Sequence, residues 1–317
     1  MNLPRIAFLF PGQGSQIIGM GRELAALYPV ARYTFQEADE ALGFAISKLC
    51  FEGPEDDLKM TEITQPAILT TSVATFRVLQ EKGVAPQFVA GHSLGEYSAH
   101  VAAGTIDFAD AVRVVNKRGR YMQEAVPKGQ GAMAAIVAMP LADLQTVCNE
   151  AAQGEVVSPA SINSPEQIVI SGATAAVQRA ADLAKERGAK RAIMLPVSAP
   201  FHCSLMQPAQ DRLAGDLRQI EFDKPEVPVI SNIDAEAITD AEASRKALIS
   251  QVTGAVQWLG CVRKLIELGA NTFIEAGPGR VLTGLMRQID RSQSAMNVED
   301  EASLQKIMGL FAAAAKE

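Results

Sequence analysis

The residue types in this chain best placed to do chemistry are a serine in a tight turn and one of three histidines. Ser93 is the centre of Gly91-His-Ser-Leu-Gly95, preceded by the apolar run Phe88–Ala90 and followed by the small residues Ser98, Ala99, Ala102 and Ala103. Strand, sharp turn and closely packed helix make a nucleophile elbow, in which the two glycines leave room for a strained backbone that lifts the hydroxyl clear. A serine hydroxyl needs a positioned base at neutral pH, and imidazole is the usual one. His92 is the residue next to Ser93 in an extended segment, so its ring should leave on the opposite side. His100 lies seven residues further on, about 10 Å along a helix axis. His202 remains, in the proline-bounded loop Ser198-Ala-Pro-Phe-His-Cys203. Cys203, its direct neighbour, is read as packing.

A second glycine turn, Pro11-Gly-Gln-Gly-Ser-Gln16, follows the strand pattern Ile6–Phe10 and precedes a helix around Gly21–Tyr28. Such a turn aims backbone N–H groups at one spot, which suits an oxyanion. It lacks the third glycine of a dinucleotide fingerprint and the Gly-Lys-Ser/Thr ending of a phosphate loop. Gln65 falls near the start of an apolar helix, in Ile63-Thr-Gln-Pro-Ala67. Arg118 is out of place: Val114, Val115 and Met122 share its side of the helix Phe108–Ala125, so a guanidinium rises from an apolar face. A buried guanidinium needs an anionic partner, either a structural Asp or Glu or a carboxylate on a substrate.

These groups need a scaffold. Strands alternating with helices imply a parallel sheet covered on both faces, with Thr272–Glu275 a further buried strand. Between Pro127-Lys-Gly-Gln-Gly131 and Pro200 the order becomes βαββαβ, with strands at Ala132–Met139, Val156–Asn163, Gln167–Ser171 and Arg191–Val197 and helices at Leu141–Ala152 and Ala175–Gly188. The expected fold is therefore α/β: a parallel-sheet, α/β-hydrolase-like large domain over 1–126 and 199–317, with an inserted ferredoxin-like βαββαβ small domain over 127–198. His202 would emerge at the junction, with the cleft between the two. Helices are expected at Ser204–Arg218 and Ala243–Val252, a strand at Val227–Ser231, and a fraying helix at Ala312–Lys316.

With 317 residues, 48% hydrophobic and 21% charged, the chain has the profile of an ordinary globular protein. No segment reads as membrane-spanning and Met1–Phe10 leaves no room for a secretory signal, so the expected location is the cytoplasm. The four cysteines are scattered, without disulfide or zinc spacing, so no metal is expected. A net charge of −7 argues against nucleic acid as a partner. Two local basic clusters stand against that total: Lys185, Arg187, Lys190 and Arg191, and Arg280, Arg287 and Arg291. Solvated helix faces explain both equally well.

Six ordered motifs carry a resemblance across nearly the whole chain: Phe10-Pro-Gly-Gln-Gly-Ser-Gln16, Gly91-His-Ser-Leu-Gly-Glu96, Arg118-Gly119, Pro200-Phe-His202 with Met206, Val256-Gln-Trp258 and Glu275-Ala-Gly-Pro-Gly279. Together they resemble the malonyl-CoA:acyl carrier protein transacylases. The resemblance implies transfer of a malonyl group from malonyl-CoA, through an ester on Ser93, to the phosphopantetheine thiol of acyl carrier protein in fatty-acid synthesis. It implies His202 as general base and acid, Gln251 as the group that orients it, and Gln13 and Leu94 as donors of oxyanion N–H groups. Arg118 would hold the malonyl carboxylate, with Gln65 and Asn163 lining the pocket. No cofactor is implied beyond the coenzyme A thioester substrate, and a monomer is expected. The cluster around Lys190 would meet the acidic carrier. A serine hydrolase, a non-catalytic scaffold and the transferase subunit of a malonate decarboxylase are the competing readings.

Overall fold

Ile6–Phe10 is apolar at every position because both of its faces are covered. In the computed structural model, which describes residues 4–314, ten strands occur in chain order. They are β1 (Ile6–Phe10), β2 (Phe88–Gly91), β3 (Gly131–Val137), β4 (Val157–Ser164), β5 (Gln167–Ala173), β6 (Arg191–Met194), β7 (Val229–Ile230), β8 (Ala237–Ile238), β9 (Thr272–Ala276) and β10 (Ser294–Val298). The larger sheet has the order β10-β9-β1-β2-β7-β8 and is parallel except for β8. Alternate side chains serve opposite cores, as the two-residue period of a strand requires. Phe8, Phe10, Val89 and Ile274 face one cluster; Ala7, Leu9, Phe88, Ala90 and Phe273 face the other. Phe8, Phe10 and Phe76 meet edge to face, and each fully buried ring is worth about 1.5–3 kcal/mol relative to exposure.

The smaller sheet is antiparallel, in the order β4-β5-β3-β6. Helices Leu141–Ala152 and Thr174–Glu186 pack with it into a separate apolar cluster through Ala134 and Ile136. The other face of β3, at Met133 and Ala135, joins the main core, so the two sheets share packing at that strand.

Several boundaries differ from expectation, each for a local reason. β6 stops at Met194 rather than Val197, since Pro196 has no N–H to give a ladder. The helix expected at Ser204–Arg218 is a short 3₁₀ turn, Ser204–Met206, followed by Gln207–Leu217 with a proline in its first turn. The strand expected at Val227–Ser231 is only Val229–Ile230, and it turns back as the antiparallel β8. The edge strand β10 was not foreseen. The helix expected at Ala312–Lys316 lies partly outside the described residues; Glu301–Ala314 is helical.

Two helices bring Arg118 toward the elbow. Thr61–Glu81 contains Pro66, which has no N–H and so leaves the Glu62 carbonyl without its helical donor. Asn116 Nδ2, on helix Phe108–Glu124, fills that vacancy at 2.8 Å. Gly119 allows the approach: a Cβ there would stand 2.5 Å from the Thr61 carbonyl oxygen. The Arg118-Gly119 pair is thus a charge and the gap that lets it be delivered. No described helix is long and apolar enough to cross a membrane, and no group of three or more His, Cys, Asp or Glu among the described residues could hold a metal ion.

Candidate active site

Ser93 sits at φ 52° and ψ −106°, between β2 and helix Leu94–Ala102. A non-glycine residue at positive φ costs about 1–3 kcal/mol and needs outside support. The flanking glycines give the space. A Cβ on Gly91 would lie 1.9 Å from the Gly95 carbonyl group, and one on Gly95 would lie 2.0 Å from the Phe10 carbonyl oxygen. Neither position admits a side chain, so the turn is folded down onto β1 while Ser93 projects from it.

His202 also sits at positive φ, 60°, in the loop after Pro200. The Ser93 hydroxyl donates to its Nε2 at 2.7 Å. Its Nδ1–H donates to the Gln251 main-chain carbonyl at 2.9 Å. A carbonyl can only accept, so Nδ1 carries the hydrogen and Nε2 presents its lone pair to the serine. Burial, and then the nearby Arg118 charge, hold His202 down to about 3, which keeps the ring neutral and able to accept a proton. His100 is also fully buried and held down to about 3 by burial, with neither ring nitrogen partnered, and makes no contact with the serine.

Arg118 is 1% exposed. It donates from Nη1 to Gln65 Oε1 at 2.7 Å, and from Nη2 to Gln251 Oε1 at 2.8 Å and to Ser93 Oγ at 3.1 Å. No salt bridge among the described residues involves it. A guanidinium buried on neutral acceptors alone is one negative charge short. Of the two partners considered from sequence, a structural Asp or Glu is not in contact with it.

Ser93, His202, Arg118, Gln65 and Gln251 therefore form one connected hydrogen-bonded group. Gln251 Nε2 also donates to the Ser93 carbonyl at 2.9 Å and to Glu96 Oε2 at 2.6 Å. It is the main chain of Gln251, not its side chain, that touches His202. The amides of Gln13 and Leu94 donate to no protein acceptor among the described residues, leaving both free to bind an oxyanion. The Gln13 side chain is exposed, with Nε2 3.5 Å from Thr61 Oγ1. Asn163 stands apart from the serine, its Oδ1 2.9 Å from His92 Nε2 and its Nδ2 donating to Gln167. A cavity of about 250 Å³ opens beside the elbow, with Gln13, His92, Asn163, Leu195, Val197 and Leu285 in its walls. It lies between the smaller sheet, the loops that follow β1 and β2, and helix Val281–Ile289.

Two residues of the group were missed from sequence. Asn232, fully buried just beyond β7, clamps the elbow: its Oδ1 accepts from the Ser93 N–H at 2.7 Å and its Nδ2 donates to the Gly91 carbonyl at 2.8 Å. Glu96 lies beneath, accepting from Gln251 and from the Asn232 N–H. The one signal for Asn232 was its place after an apolar strand, which becomes informative only when β7 is known to neighbour β2. Replacing Asn232 with Ala strands two backbone groups of the elbow, at about 1–3 kcal/mol each. The rate at which an acyl thioester labels Ser93 should fall about tenfold or more, measured by single-turnover mass spectrometry; an unchanged rate would remove Asn232 from the site.

Comparison with known proteins gives the family. Residues 7–312 match the acyl transferase domain family. The chain is 50% identical to the malonyl CoA-acyl carrier protein transacylase of Escherichia coli K12 over 303 residues, 95% of this chain and 98% of that one. It is 48% identical to the Bacillus subtilis protein of the same name over 304 residues, 96% of each. An acyl carrier protein S-malonyltransferase from Vibrio cholerae superposes with a TM-score of 0.94 at 50% identity, covering 96% of this chain and 99% of that one. A malonyl-transacylase solved in complex with its type II PKS acyl-carrier protein gives the same TM-score, identity and coverage. The chain belongs to the acyl transferase domain family, among its malonyl-CoA:acyl carrier protein transacylases, and is an acyltransferase.

Proposed function

We propose that the protein moves a malonyl group from malonyl-CoA to the phosphopantetheine thiol of acyl carrier protein by a ping-pong reaction through a Ser93 ester. Ser93 Oγ attacks the thioester carbonyl and its proton passes to His202 Nε2, 2.7 Å away. The Gln13 and Leu94 amides take the developing oxyanion. The tetrahedral intermediate collapses, the coenzyme A sulfur leaves with the proton from His202, and the malonyl ester remains. The carrier's thiol then gives its proton to His202 and reverses the sequence. In this reading Gln251 holds His202 through its carbonyl, while Gln65 holds Arg118. Asn163 belongs to the wall of the approach cavity rather than to the acyl pocket.

The observation that carries the malonyl assignment is Arg118. A buried cation without a carboxylate, 3.1 Å from the nucleophile, suits an acyl group that brings its own carboxylate. Burial is the larger cause of the lowered His202 and the Arg118 charge the next, so a carboxylate that offsets that charge strengthens the base once substrate is in place. A serine hydrolase shares the elbow. Here, however, the ring is backed by a neutral carbonyl, which stabilises the imidazolium less than a carboxylate would and so activates water less.

The larger sheet with its helices is read as an α/β-hydrolase-like domain, 1–126 and 199–317, and the smaller sheet as a ferredoxin-like insert, 127–198. The enzyme would act as a monomer. Within the basic cluster on the insert, Arg187 is paired with Glu150, whereas Lys185, Lys190 and Arg191 are exposed and available to an acidic carrier. Mixing the protein with malonyl-CoA should give a malonyl adduct on Ser93 by intact-mass spectrometry, discharged on adding holo carrier protein. Failure to form the adduct, or its loss to water as fast without carrier as with it, would overturn the assignment.

A further inference from the structure

Glu96 lies at the bottom of the site without touching the reacting groups. It is fully buried on helix Leu94–Ala102. Its Oε2 accepts from Gln251 Nε2 at 2.6 Å and from the Asn232 N–H at 3.3 Å, and its Oε1 has no partner. The Gln251 amide faces both ways: one end donates to Glu96, and the other, Oε1, accepts from Arg118 Nη2 at 2.8 Å. One neutral amide thus separates the only acid of the cluster from its only cation.

That arrangement has two charge states with different consequences. If Glu96 is ionised, its charge lies one amide away from Arg118 in a poorly solvated pocket, and a second carboxylate on the guanidinium meets repulsion. If Glu96 is neutral, Arg118 keeps an uncompensated charge. We propose that Glu96 is a positioning residue that works as an uncharged carboxyl, holding Gln251 against Arg118 and keeping the acyl pocket one negative charge short, so that acyl groups bearing a free carboxylate are selected. This rests on the malonyl reading above and deepens it.

Burial pushes the Glu96 carboxyl up to about 8, against the lowering effects of the Gln251 and Asn232 bonds and the Arg118 charge. The groups that act with it are Arg118 from helix Phe108–Glu124, Tyr97 beside it, Asp234 beyond β7 and Cys261 from helix Trp258–Glu267; the imidazoles elsewhere in the site are those of His92 and His202. Burial raises Tyr97 and Cys261, while both imidazoles are lowered, so those four hold their neutral forms from pH 7 to 9. Arg118 is lowered by burial but remains a cation there. Glu96 is therefore the group whose charge changes across that window.

The sign follows. Below pH 8 Glu96 keeps its proton and malonyl binds; above it, each malonyl bound must first restore that proton. The KM for malonyl-CoA should rise about fivefold from pH 8 to 9, while the KM for acetyl-CoA, whose acyl group carries no charge, stays level. Glu96→Gln keeps the acceptor toward Gln251 and cannot ionise, so whatever its malonyl-CoA KM at pH 7, the rise between pH 8 and 9 should vanish. A variant whose malonyl-CoA KM still rises with pH as the parent's does would assign that rise to another group and overturn the inference. So would a parent enzyme whose malonyl and acetyl profiles run parallel, a result that needs no variant to fold. Absence of malonyl transfer at every pH would instead overturn the parent reading, and this inference with it.

Discussion

Changing Ser93 to Ala lowers kcat/KM for malonyl transfer by about 10⁴-fold or more and leaves no covalent adduct, because among the described residues Ser93 is the one nucleophile hydrogen-bonded to His202 Nε2. Cys203 is buried, its thiol bonded to the Pro200 carbonyl at 3.2 Å and pushed up by burial, so it cannot substitute. Alanine fits the same strained backbone at φ 52° no worse than serine does. The stability change should therefore stay within about 1 kcal/mol, a shift in Tm of about 2–4 °C at most. Adding His202→Ala to the first change should cost almost nothing more, since the two act as one unit. Steady-state kinetics of the parent enzyme should give parallel double-reciprocal lines. A Ser93→Ala protein that still relays malonate at a tenth of the normal rate would mean that the two thiols exchange directly, and the ester mechanism would fall.

Much of this site was legible in the chain because its main parts are declared by local constraints. Gly91 and Gly95 are required by contacts closer than 2.1 Å, and that demand is what makes Gly-X-Ser-X-Gly a readable sign. With only three histidines, elimination led to His202, 109 residues from the serine it bonds. Arg118 stood out as a charge on an apolar face. What stayed hidden were the contacts that sequence does not encode by residue type. The carbonyl behind His202 could belong to any residue, so nothing in the residue type of Gln251 says that its main chain makes the contact. Asn232 is 139 residues from Ser93 and looks like an ordinary turn residue until β7 is placed beside β2. The fold shows the same division. The buried strands β1 and β2 carry continuous apolar runs and β9 the buried pair Phe273-Ile274, whereas the two-residue β8 and the half-buried edge strand β10, with its serine and asparagine, carry no periodic signal.

Changing Arg118 to Ala should separate substrates rather than disable the enzyme. Malonyl transfer loses a charge-assisted pair from a pocket with little water, about 3–4 kcal/mol or several hundredfold in kcat/KM. Acetyl transfer has no such pair to lose and should change less than about fivefold. The deletion also strands the Gln65 and Gln251 side-chain oxygens that the guanidinium now satisfies, so some stability is lost, about 1–3 kcal/mol for each. Thermal unfolding measures that cost apart from catalysis. Lysine at the same position restores the charge but cannot reach both glutamines and Ser93 Oγ from one planar fork, so it should recover only part of the malonyl preference. A second consequence separates a binding role from a structural one. The Arg118 charge helps to depress His202, so its removal should raise the imidazole toward the ordinary histidine range. The acid limb of the acetyl pH–rate profile should then move upward. Equal losses for malonyl and acetyl, with that limb unmoved, would make Arg118 a structural cation and leave the choice of acyl group to be explained by something else in the pocket.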